Sequence, residues 1–381
     1  MCSSDLILFC RDKNEEREIW DGYRYGPDAA CAVFGTDEAR SISHFDTTLA
    51  ALMANQKGLF YSLGEGGILE QRINAALTTV RNQARAGIAA PSQLIDVRRL
   101  LDDLRLVKDS DEINIMRRAA QISAKAHMQA MRVCRPGMYE YQMEAELLYI
   151  FKQNGSQFPA YSSIVAGGAN GCVLHYNENN APLNDGDLLL IDAGCELDGY
   201  ASDITRTFPV NGRFSKGQRK LYDLVLASQA AAIAATKPGA IFNAPHDAAT
   251  QVLAQGMIDF GLVKGSLSEV LESGSYKRFY MHRTSHWIGM DVHDCGDYIE
   301  PGTPPRSDPS TPALSNRVLH PGMLLTIEPG IYVRAASDIA LEFHNVGIRI
   351  EDDALVTSKG CEILTSDVVK TASDIETQMK R

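Results

Sequence analysis

Apolar and polar positions along the first hundred residues follow the pattern of a mixed domain of strands and helices. Short apolar runs predict three strands, at residues 6–9, 29–34 and 58–63. Apolar residues at helical spacing predict two helices, at residues 70–86 and 94–106. These elements indicate a small α/β domain over residues 1–106.

The pattern changes after Lys108, where a long amphipathic helix is predicted. Ser110 is a suitable N-cap, because its hydroxyl can accept a hydrogen bond from an amide of the first turn. Apolar residues then recur at helical spacing as far as the break at residues 135–137. A second helix over 139–154 and short strands between 162 and 210 complete this part of the chain.

The same order of elements then recurs, which indicates an internal duplication. Helices are predicted over residues 216–236 and 243–260, and strands are predicted to resume after Arg278. The repeat is clearest where GDLLLIDAG (186–194) aligns without a gap with GMLLTIEPG (322–330). The sequence therefore predicts a second domain, residues 107–381, built from two related halves.

Composition narrows the class of protein. The chain has 381 residues, a net charge of −11 and 45% hydrophobic residues, and no run approaches the ~20 apolar residues that span a bilayer. An acidic chain is a poor partner for nucleic acid. No secretory signal is visible, and the eight cysteines are scattered without a C-x-x-C pair, which favours reduced thiols. We therefore expect a cytoplasmic, two-domain protein that binds neither nucleic acid nor membrane.

Three of the nine histidines fall within HRTSHWIGMDVH, at residues 282–293. A zinc-protease helix needs Glu directly after its first His, and Arg283 occupies that position. The extended form of that motif needs a third His where the chain has Val292. This excludes the helical zinc-protease motif, and the density of histidines still predicts that at least one is a ligand or a catalytic group.

Each half of the duplication ends an apolar strand with a carboxylate, Asp192 in the first and Glu328 in the second. A further strand in each half is predicted to carry another acid, Asp203 within SDITR and Glu351 within GIRIED. If the halves pack about a pseudo-twofold axis, the four carboxylates converge.

Four converging carboxylates need counter-charge, because burying even one unpaired carboxylate costs several kcal/mol. Arg206 and Arg349 are near in sequence but cannot neutralise four acids, whereas two divalent cations can. Oxygen-rich ligation with one imidazole favours Mn²⁺ or Co²⁺ over a thiolate zinc site. Two such ions can activate a water and polarise a carbonyl, so the pattern predicts metal-assisted hydrolysis.

Five ordered motifs resemble the pita-bread metallopeptidase family, and within it the aminopeptidase P group: IDAG, SDITR, SHWIGMDVHD, TIEPGIY and IRIEDD. EIWDG from Glu18 and FPAYSSIV from Phe158 extend the resemblance over nearly the whole chain. It implies a pita-bread catalytic domain behind a creatinase-like N-terminal domain that lacks its usual first strands. It also implies a dimer or tetramer.

The resemblance implies an activity, namely hydrolysis of the bond between an N-terminal residue and a following proline. It implies two divalent ions, Mn²⁺ in the first place and Co²⁺ or Zn²⁺ as alternatives, held by Asp192, Asp203, His286, Glu328 and Glu351. Two alternatives stay open. One is a prolidase acting on Xaa-Pro dipeptides, and the other is a non-catalytic peptide-binding protein.

The resemblance also implies roles for the remaining site residues. Glu328 would carry a proton to the leaving prolyl nitrogen, and His293 and His175 would donate hydrogen bonds to the reacting carbonyl or oxyanion. Arg349 would orient the neighbouring carboxylates. Four residues would contact substrate: His282, Tyr161, Trp20 and Arg283. Arg283 departs from the family pattern, where Gly is frequent, and its cation would narrow the pocket or contact the C-terminal side of the substrate. The proline-rich stretch 301–312 is expected to form a loop near the site mouth.

Overall fold

A computed structural model of the chain describes residues 6–304 and 316–380, so the greater part of the proline-rich stretch lies outside the described residues. Contacts divide the chain after Leu101 into two compact units. The division falls within a helix, Arg98–Leu106, that follows the last strand of the N-terminal unit. Among the described residues, no helix combines the length and the apolar character needed to cross a membrane.

The N-terminal unit has two pairs of parallel strands, each joined by a helical crossover. Strand β1 (Ile7–Cys10) pairs with β2 (Glu38–Ser41), and β3 (Gly58–Tyr61) pairs with β4 (Gln93–Asp96). The helices of this unit are α1 (Glu15–Asp21), α2 (Gly26–Phe34), α3 (Phe45–Met53), α4 (Ile68–Arg81) and the start of α5 (Arg98–Leu106). The predicted strand at 6–9 is confirmed, the strand predicted at 58–63 is confirmed as far as Tyr61, and the helix predicted at 70–86 is confirmed as far as Arg81.

One prediction in this unit is wrong, the strand at 29–34, and the helix predicted at 94–106 is confirmed only from Arg98 to Leu106. Residues 29–34 form part of helix α2, not a strand: Pro27 lies in its first turn and Gly35 ends it at φ 68°, the left-handed conformation that glycine adopts readily. Residues 93–96 form strand β4 ahead of helix α5. The apolar pair Leu94 and Ile95 lies opposite Leu59 and Phe60, so pairing with β3 outweighs helical spacing.

The larger unit contains the two predicted halves. The first half begins with α6 (Ser110–Val133) and α7 (Glu140–Gln153), followed by β5 (Phe158–Pro159), β6 (Ile164–Gly167), β7 (Leu188–Asp192), β8 (Cys195–Leu197), β9 (Tyr200–Ala201) and β10 (Thr205–Pro209). The N-cap of α6 is Asp109 and not Ser110. Its carboxylate accepts from the amides of Asp111 and Glu112, while the Glu112 side chain accepts from the Asp109 amide.

The second half repeats this order. It begins with α8 (Lys216–Ala235), α9 (Ala244–Asp259) and the short α10 (Leu267–Ser273), followed by β11 (Leu324–Ile327), β12 (Gly330–Val333), β13 (Val346–Arg349), β14 (Asp352–Val356), β15 (Cys361–Ile363) and the final helix α11 (Ala372–Gln378). The strands do not resume directly after Arg278, because the next strand in the described residues begins at Leu324. In the described part of the intervening chain, the residues around His286 pair with β11 through individual hydrogen bonds.

In both halves, the strand that leads to Asp192 or Glu328 pairs antiparallel with the strand that follows Asp203 or Glu351, as the duplication predicts. Strand β7 is antiparallel to β10 with Asp192 opposite Thr205, and β11 is antiparallel to β14 with Ile327 opposite Asp352. Asp203 and Glu351 are predicted to lie inside the second strands. In the structure they lie just before those strands. Strand β10 begins two residues after Asp203, and β14 begins one residue after Glu351. The Glu351 amide donates to the Thr205 carbonyl at 3.0 Å and the Asp203 amide donates to the Asp353 carboxylate at 3.1 Å, so each acid is fixed against the other half of the unit.

Candidate metal centre

Strand β7 places its terminal carboxylate by simple alternation. Successive side chains of a strand point to opposite faces. Leu189 and Ile191 lie in the main core, whereas Leu190 belongs to a separate cluster with Ile164 and Tyr332. Asp192, two residues after Leu190, therefore points to the same face as that cluster, where a large cavity opens.

The second half places two further groups beside each other through an irregular ladder. The segment 284–288 runs antiparallel to β11: the Thr326 amide donates to the His286 carbonyl (3.0 Å) and the Glu328 amide donates to the Thr284 carbonyl (2.8 Å). The His286 amide in turn donates to the Thr326 hydroxyl (3.1 Å). Because of this pairing, His286 Nε2 lies 3.7 Å from Glu328 Oε1.

All five residues predicted as metal ligands line one cavity: Asp192, Asp203, His286, Glu328 and Glu351. Donor atoms of Asp203, His286 and Glu351 lie within 4.8 Å of one another, a spacing that a single metal ion can bridge. His286 Nε2 is 3.5 Å from Asp203 Oδ2. The structure thus brings together residues that are up to 159 positions apart along the chain.

Polar groups fix the orientation of these carboxylates. Arg349 donates to Asp192 Oδ2 at 2.6 Å and, through Nε, to the Thr205 hydroxyl at 3.1 Å. The Thr205 hydroxyl donates to Glu351 Oε2 at 2.6 Å. The Tyr161 hydroxyl contacts both Asp192 and Asp203. Arg206, also near in sequence, is fully buried and pairs with Asp352 at 2.7 Å, and it reaches Glu351 only through the backbone, where Nη1 donates to the Glu351 carbonyl at 2.6 Å.

The electrostatics of the cluster indicate an excess of negative charge. Burial and the neighbouring Asp192 raise the pKa of Asp203, and burial together with Asp203 raises the pKa of Glu351 well above its usual range. Burial also raises the pKa of Glu328 to about 7, although His286 and Arg349 act in the opposite direction. Asp192 differs: burial opposes ionisation, but Arg349 holds the pKa of this carboxyl below its ordinary value.

His286 responds to the same excess. Burial lowers its pKa, but the adjacent Asp203 and Glu328 outweigh burial and raise the pKa of His286 to about 9. Its Nδ1 faces the Trp287 carbonyl at 2.9 Å and must donate there, since a carbonyl can only accept. Nε2 is therefore the nitrogen directed at the carboxylates of Asp203 and Glu328. A proton on Nε2 lies where a metal ion bound to this nitrogen would lie.

The donor set fits divalent metal ions. Four carboxylates raise one another's pKa or depend on Arg349 for neutralisation, and an imidazole directs its free nitrogen at them. A divalent ion would relieve this repulsion, displacing the proton on His286. Carboxylate-rich ligation with one imidazole suits hard and borderline divalent metals.

The predicted catalytic and pocket histidines also border the cavity, which has a volume of about 730 Å³, enough for a short peptide. The rings of His293 and His286 meet edge to face, with centroids 4.3 Å apart. His282 donates from Nδ1 to the Arg283 carbonyl (2.7 Å) and accepts at Nε2 from the Tyr332 hydroxyl (2.8 Å). Burial and Arg349 lower the pKa of His282 to about 3, so it is a neutral ring. His175 lies on another part of the cavity wall.

Of the other three residues predicted to contact substrate, two line the cavity and one lies in the N-terminal unit. Tyr161 and Arg283 border the cavity, with Arg283 exposed. The Tyr161 hydroxyl is engaged with two of the carboxylates rather than pointing at open space. Trp20 lies on α1 of the N-terminal unit with 78% of its surface exposed, and its role stays a prediction.

Sequence reasoning missed several residues of the site. Tyr332 links Arg349 to His282, accepting from the guanidinium at 2.9 Å, and Thr205 joins Arg349 to Glu351. Both residues fall inside motifs already described, TIEPGIY and SDITR. The sequence did not indicate which side chains they would contact. Phe242 and Tyr298, which form an apolar wall of the cavity, carried no such signal.

Fold and site together define a metal-dependent hydrolase whose centre is assembled from two duplicated halves. Residues 114–358 match metallopeptidase family M24, and residues 1–61 match the aminopeptidase P N-terminal domain. The chain belongs to metallopeptidase family M24.

Individual relatives agree with this assignment. The chain is 40% identical over 373 residues to the Xaa-Pro aminopeptidase of Escherichia coli (strain K12), which covers 98% of this chain and 82% of that protein. The structure of Pseudomonas aeruginosa aminopeptidase PepP superposes with a TM-score of 0.93 at 46% identity, over 98% of this chain and 82% of that one. A zinc-substituted E. coli aminopeptidase P in complex with product superposes with a TM-score of 0.92 at 40% identity, over 98% and 82%.

Proposed function

We propose that this chain is an aminopeptidase that removes an N-terminal residue when the next residue is proline, using two divalent metal ions. The observation that carries the proposal is the convergence of Asp203, His286 and Glu351 within 4.8 Å, in a cavity that Asp192 and Glu328 also border. The substrate class is inferred from relatives described as Xaa-Pro aminopeptidases. This chain covers about four-fifths of their length.

The five ligands, Asp192, Asp203, His286, Glu328 and Glu351, would hold Mn²⁺ in the first place, and Co²⁺ or Zn²⁺ as alternatives. When bound, the ions lower the pKa of a water and polarise the carbonyl of the bond to be cleaved. The carboxylate cluster also favours the positively charged amino end of a peptide over its carboxyl end.

The chain's own residues would carry the remaining steps. Water oxygen adds to the carbonyl carbon of the first residue, and the C–N bond to proline breaks. Glu328 would accept a proton from the water and pass it to the departing prolyl nitrogen. His293 and His175, on the cavity wall, would donate hydrogen bonds to the oxygen that gains negative charge. Arg349 would keep Asp192 ionised and in place through its 2.6 Å contact.

Two features of the cavity bear on substrate choice. Phe242, Val292 and Tyr298 provide an apolar wall suited to a ring such as that of proline. Arg283 provides an exposed cation at the same cavity and would attract a carboxylate that follows the proline. A Xaa-Pro dipeptide also carries a carboxylate, on the proline itself, so Arg283 would serve either class of substrate, and it is the relatives described as Xaa-Pro aminopeptidases that favour the aminopeptidase over a dipeptide-specific prolidase.

The test is an assay of the full chain after metal removal by a chelator and reconstitution with Mn²⁺, Co²⁺ or Zn²⁺ in parallel. Expected is release of the first residue from Xaa-Pro-Xaa peptides, with two ions bound per chain and no release from matched Xaa-Ala-Xaa peptides. Cleavage of Xaa-Pro dipeptides alone would identify a prolidase. Peptide binding without metal uptake would identify a non-catalytic binding protein.

A further inference from the structure

A buried ion pair lies beside the metal centre without touching any of its ligands. Lys108 Nζ is 3.0 Å from Asp294 Oδ2, and both side chains are only 1% exposed. Arg105 adds a second contact, 2.6 Å to Asp294 Oδ1. Taking two charges out of water is costly, so hydrophobic residues of similar size would often serve stability as well. The pair therefore calls for a reason other than stability.

Asp294 closes the loop that follows the ligand His286 and carries His293. This loop, residues 287–294, starts directly after His286 and ends one residue after His293. The Asp294 amide donates to the Trp287 carbonyl at 2.9 Å, and this hydrogen bond joins the two ends of the loop. The Gly289 carbonyl accepts from the Ala201 amide at 2.8 Å, which ties the loop to the segment that leads to Asp203.

The ion pair packs directly against the backbone of this loop. A Cβ atom on Gly289 would lie 2.2 Å from Asp294 Oδ2 and 2.9 Å from Lys108 Nζ, so no larger residue fits between them. Lys108 is itself fixed, because its amide donates to the Gly322 carbonyl at 2.9 Å, just ahead of β11. The buried ammonium group of Lys108 therefore fixes the position of Asp294, and through the backbone it also constrains the adjacent His293.

We propose that Lys108 is a positioning residue for His293, acting through Asp294. The ion pair fixes the loop so that the His293 ring stays edge to face with His286, 4.3 Å between centroids, and directed at the cavity. The catalytic role of His293 in this proposal rests on the proposed function. The positioning of the His293 ring by Lys108 does not depend on that function.

The test is a double-mutant cycle with Lys108→Met and His293→Ala, using the metal-loaded full chain and a Xaa-Pro-Xaa peptide. Expected for Lys108→Met alone is about a tenfold or larger fall in kcat, with KM and metal content nearly unchanged. In the His293→Ala background, Lys108→Met should cause no further fall, because the residue through which it acts is gone. Arg117→Met, which breaks an exposed ion pair with Glu362, is the matched control and should leave kcat unchanged.

A second readout does not depend on turnover. In protein loaded with Zn²⁺, the imidazole NMR signals of His293, assigned by their loss in His293→Ala, should shift in Lys108→Met and not in Arg117→Met. If Lys108→Met does not fold, Asp294→Asn breaks the same ion pair with little change in volume and should show the same pattern.

Equal losses of kcat in both backgrounds, or unmoved His293 signals, would overturn the positioning role. If Xaa-Pro peptides are not cleaved but the His293 signals still shift, the proposed function fails and the positioning role stands.

Discussion

Glu328 and His286 lie side by side, with 3.7 Å between Oε1 and Nε2, although no regular strand carries the histidine. Two backbone hydrogen bonds between segment 284–288 and strand β11 fix their register. A shift of one residue in that pairing would direct the carboxylate to the opposite face. The geometry of the metal centre is therefore set by the backbone pairing as much as by the ligands.

Asp203→Ala should abolish metal binding and activity together. Asp203 contributes one of the three donor groups within 4.8 Å of one another, and no other described carboxylate occupies its position. We expect activity to fall at least about a thousandfold, with metal content measured by elemental analysis falling in parallel. Asp223→Ala, which removes an exposed ion pair with Arg219 on α8, is the control. Full activity in Asp203→Ala would refute the site.

Arg349→Lys should weaken metal binding without removing a ligand. The guanidinium contacts Asp192, Thr205 and Tyr332 at once, and a single ammonium cannot reproduce that fork. We expect metal affinity, measured by titration calorimetry, to fall about 10- to 100-fold. Arg219→Lys, in the exposed pair with Asp223, should bind metal like the wild type. Unchanged affinity in Arg349→Lys would mean that Asp192 is oriented by other groups.

Gly194→Ala should disturb the centre through the backbone. An added Cβ would lie 1.7 Å from the Ser202 carbonyl oxygen, and Ser202 directly precedes Asp203. The backbone at residue 194 or at Ser202 must move, so we expect a loss of about 2–3 kcal/mol in the free energy of unfolding together with weaker metal binding. Gly360→Ala, where the added Cβ meets no atom within 4 Å, is the control. Equal stability of the two variants would contradict the prediction.

His127→Gln should make the free energy of unfolding less sensitive to acid. His127 is fully buried, its Nε2 donates to the Ala193 carbonyl at 2.9 Å, and burial lowers its pKa to about 4. The unfolded chain, with an ordinary pKa of 6.5, binds this proton first, so the wild type loses stability as pH falls from 6.5 towards 4. The contribution is about 2–3 kcal/mol between pH 7.5 and pH 4.5.

The measurement is urea unfolding at pH 7.5 and 4.5, with chelator present at both so that metal release does not contribute. His44→Gln, at an exposed histidine, should keep the wild-type pH dependence. An unchanged pH dependence in His127→Gln would show that His127 is not the group responsible.

Arg283→Gln should alter the preference for the group that follows proline. If the exposed guanidinium attracts a carboxylate, the substitution should raise KM about two- to fivefold for a Xaa-Pro-Xaa peptide with a free C-terminus. The same peptide as a C-terminal amide should show a smaller change. The measurement is KM and kcat for both peptides, and equal effects on the two would indicate that Arg283 narrows the cavity without binding charge.

Much of the catalytic unit could be predicted from the sequence, because its signals are local. The strand-end carboxylates Asp192 and Glu328 occupy equivalent places in two aligned apolar runs, and such runs predict strands wherever they occur. The helix–helix–strand order of both halves follows from helical spacing in the same way. The predictions that proved wrong lie where local signals compete: residues 29–34 are apolar enough for a strand, yet Pro27 and Gly35 bound a helix.

The sequence by itself determined the duplication, the set of carboxylates and the class of chemistry, since charge, spacing and strand alternation are properties of short segments. Only the tertiary structure decided which polar partner each group has. The Tyr161 hydroxyl between Asp192 and Asp203, and the Lys108 ammonium 186 positions away from Asp294, depend on how distant elements pack. A hydrogen bond between such groups needs atoms placed within a few tenths of an ångström, and no periodicity in the chain specifies that placement.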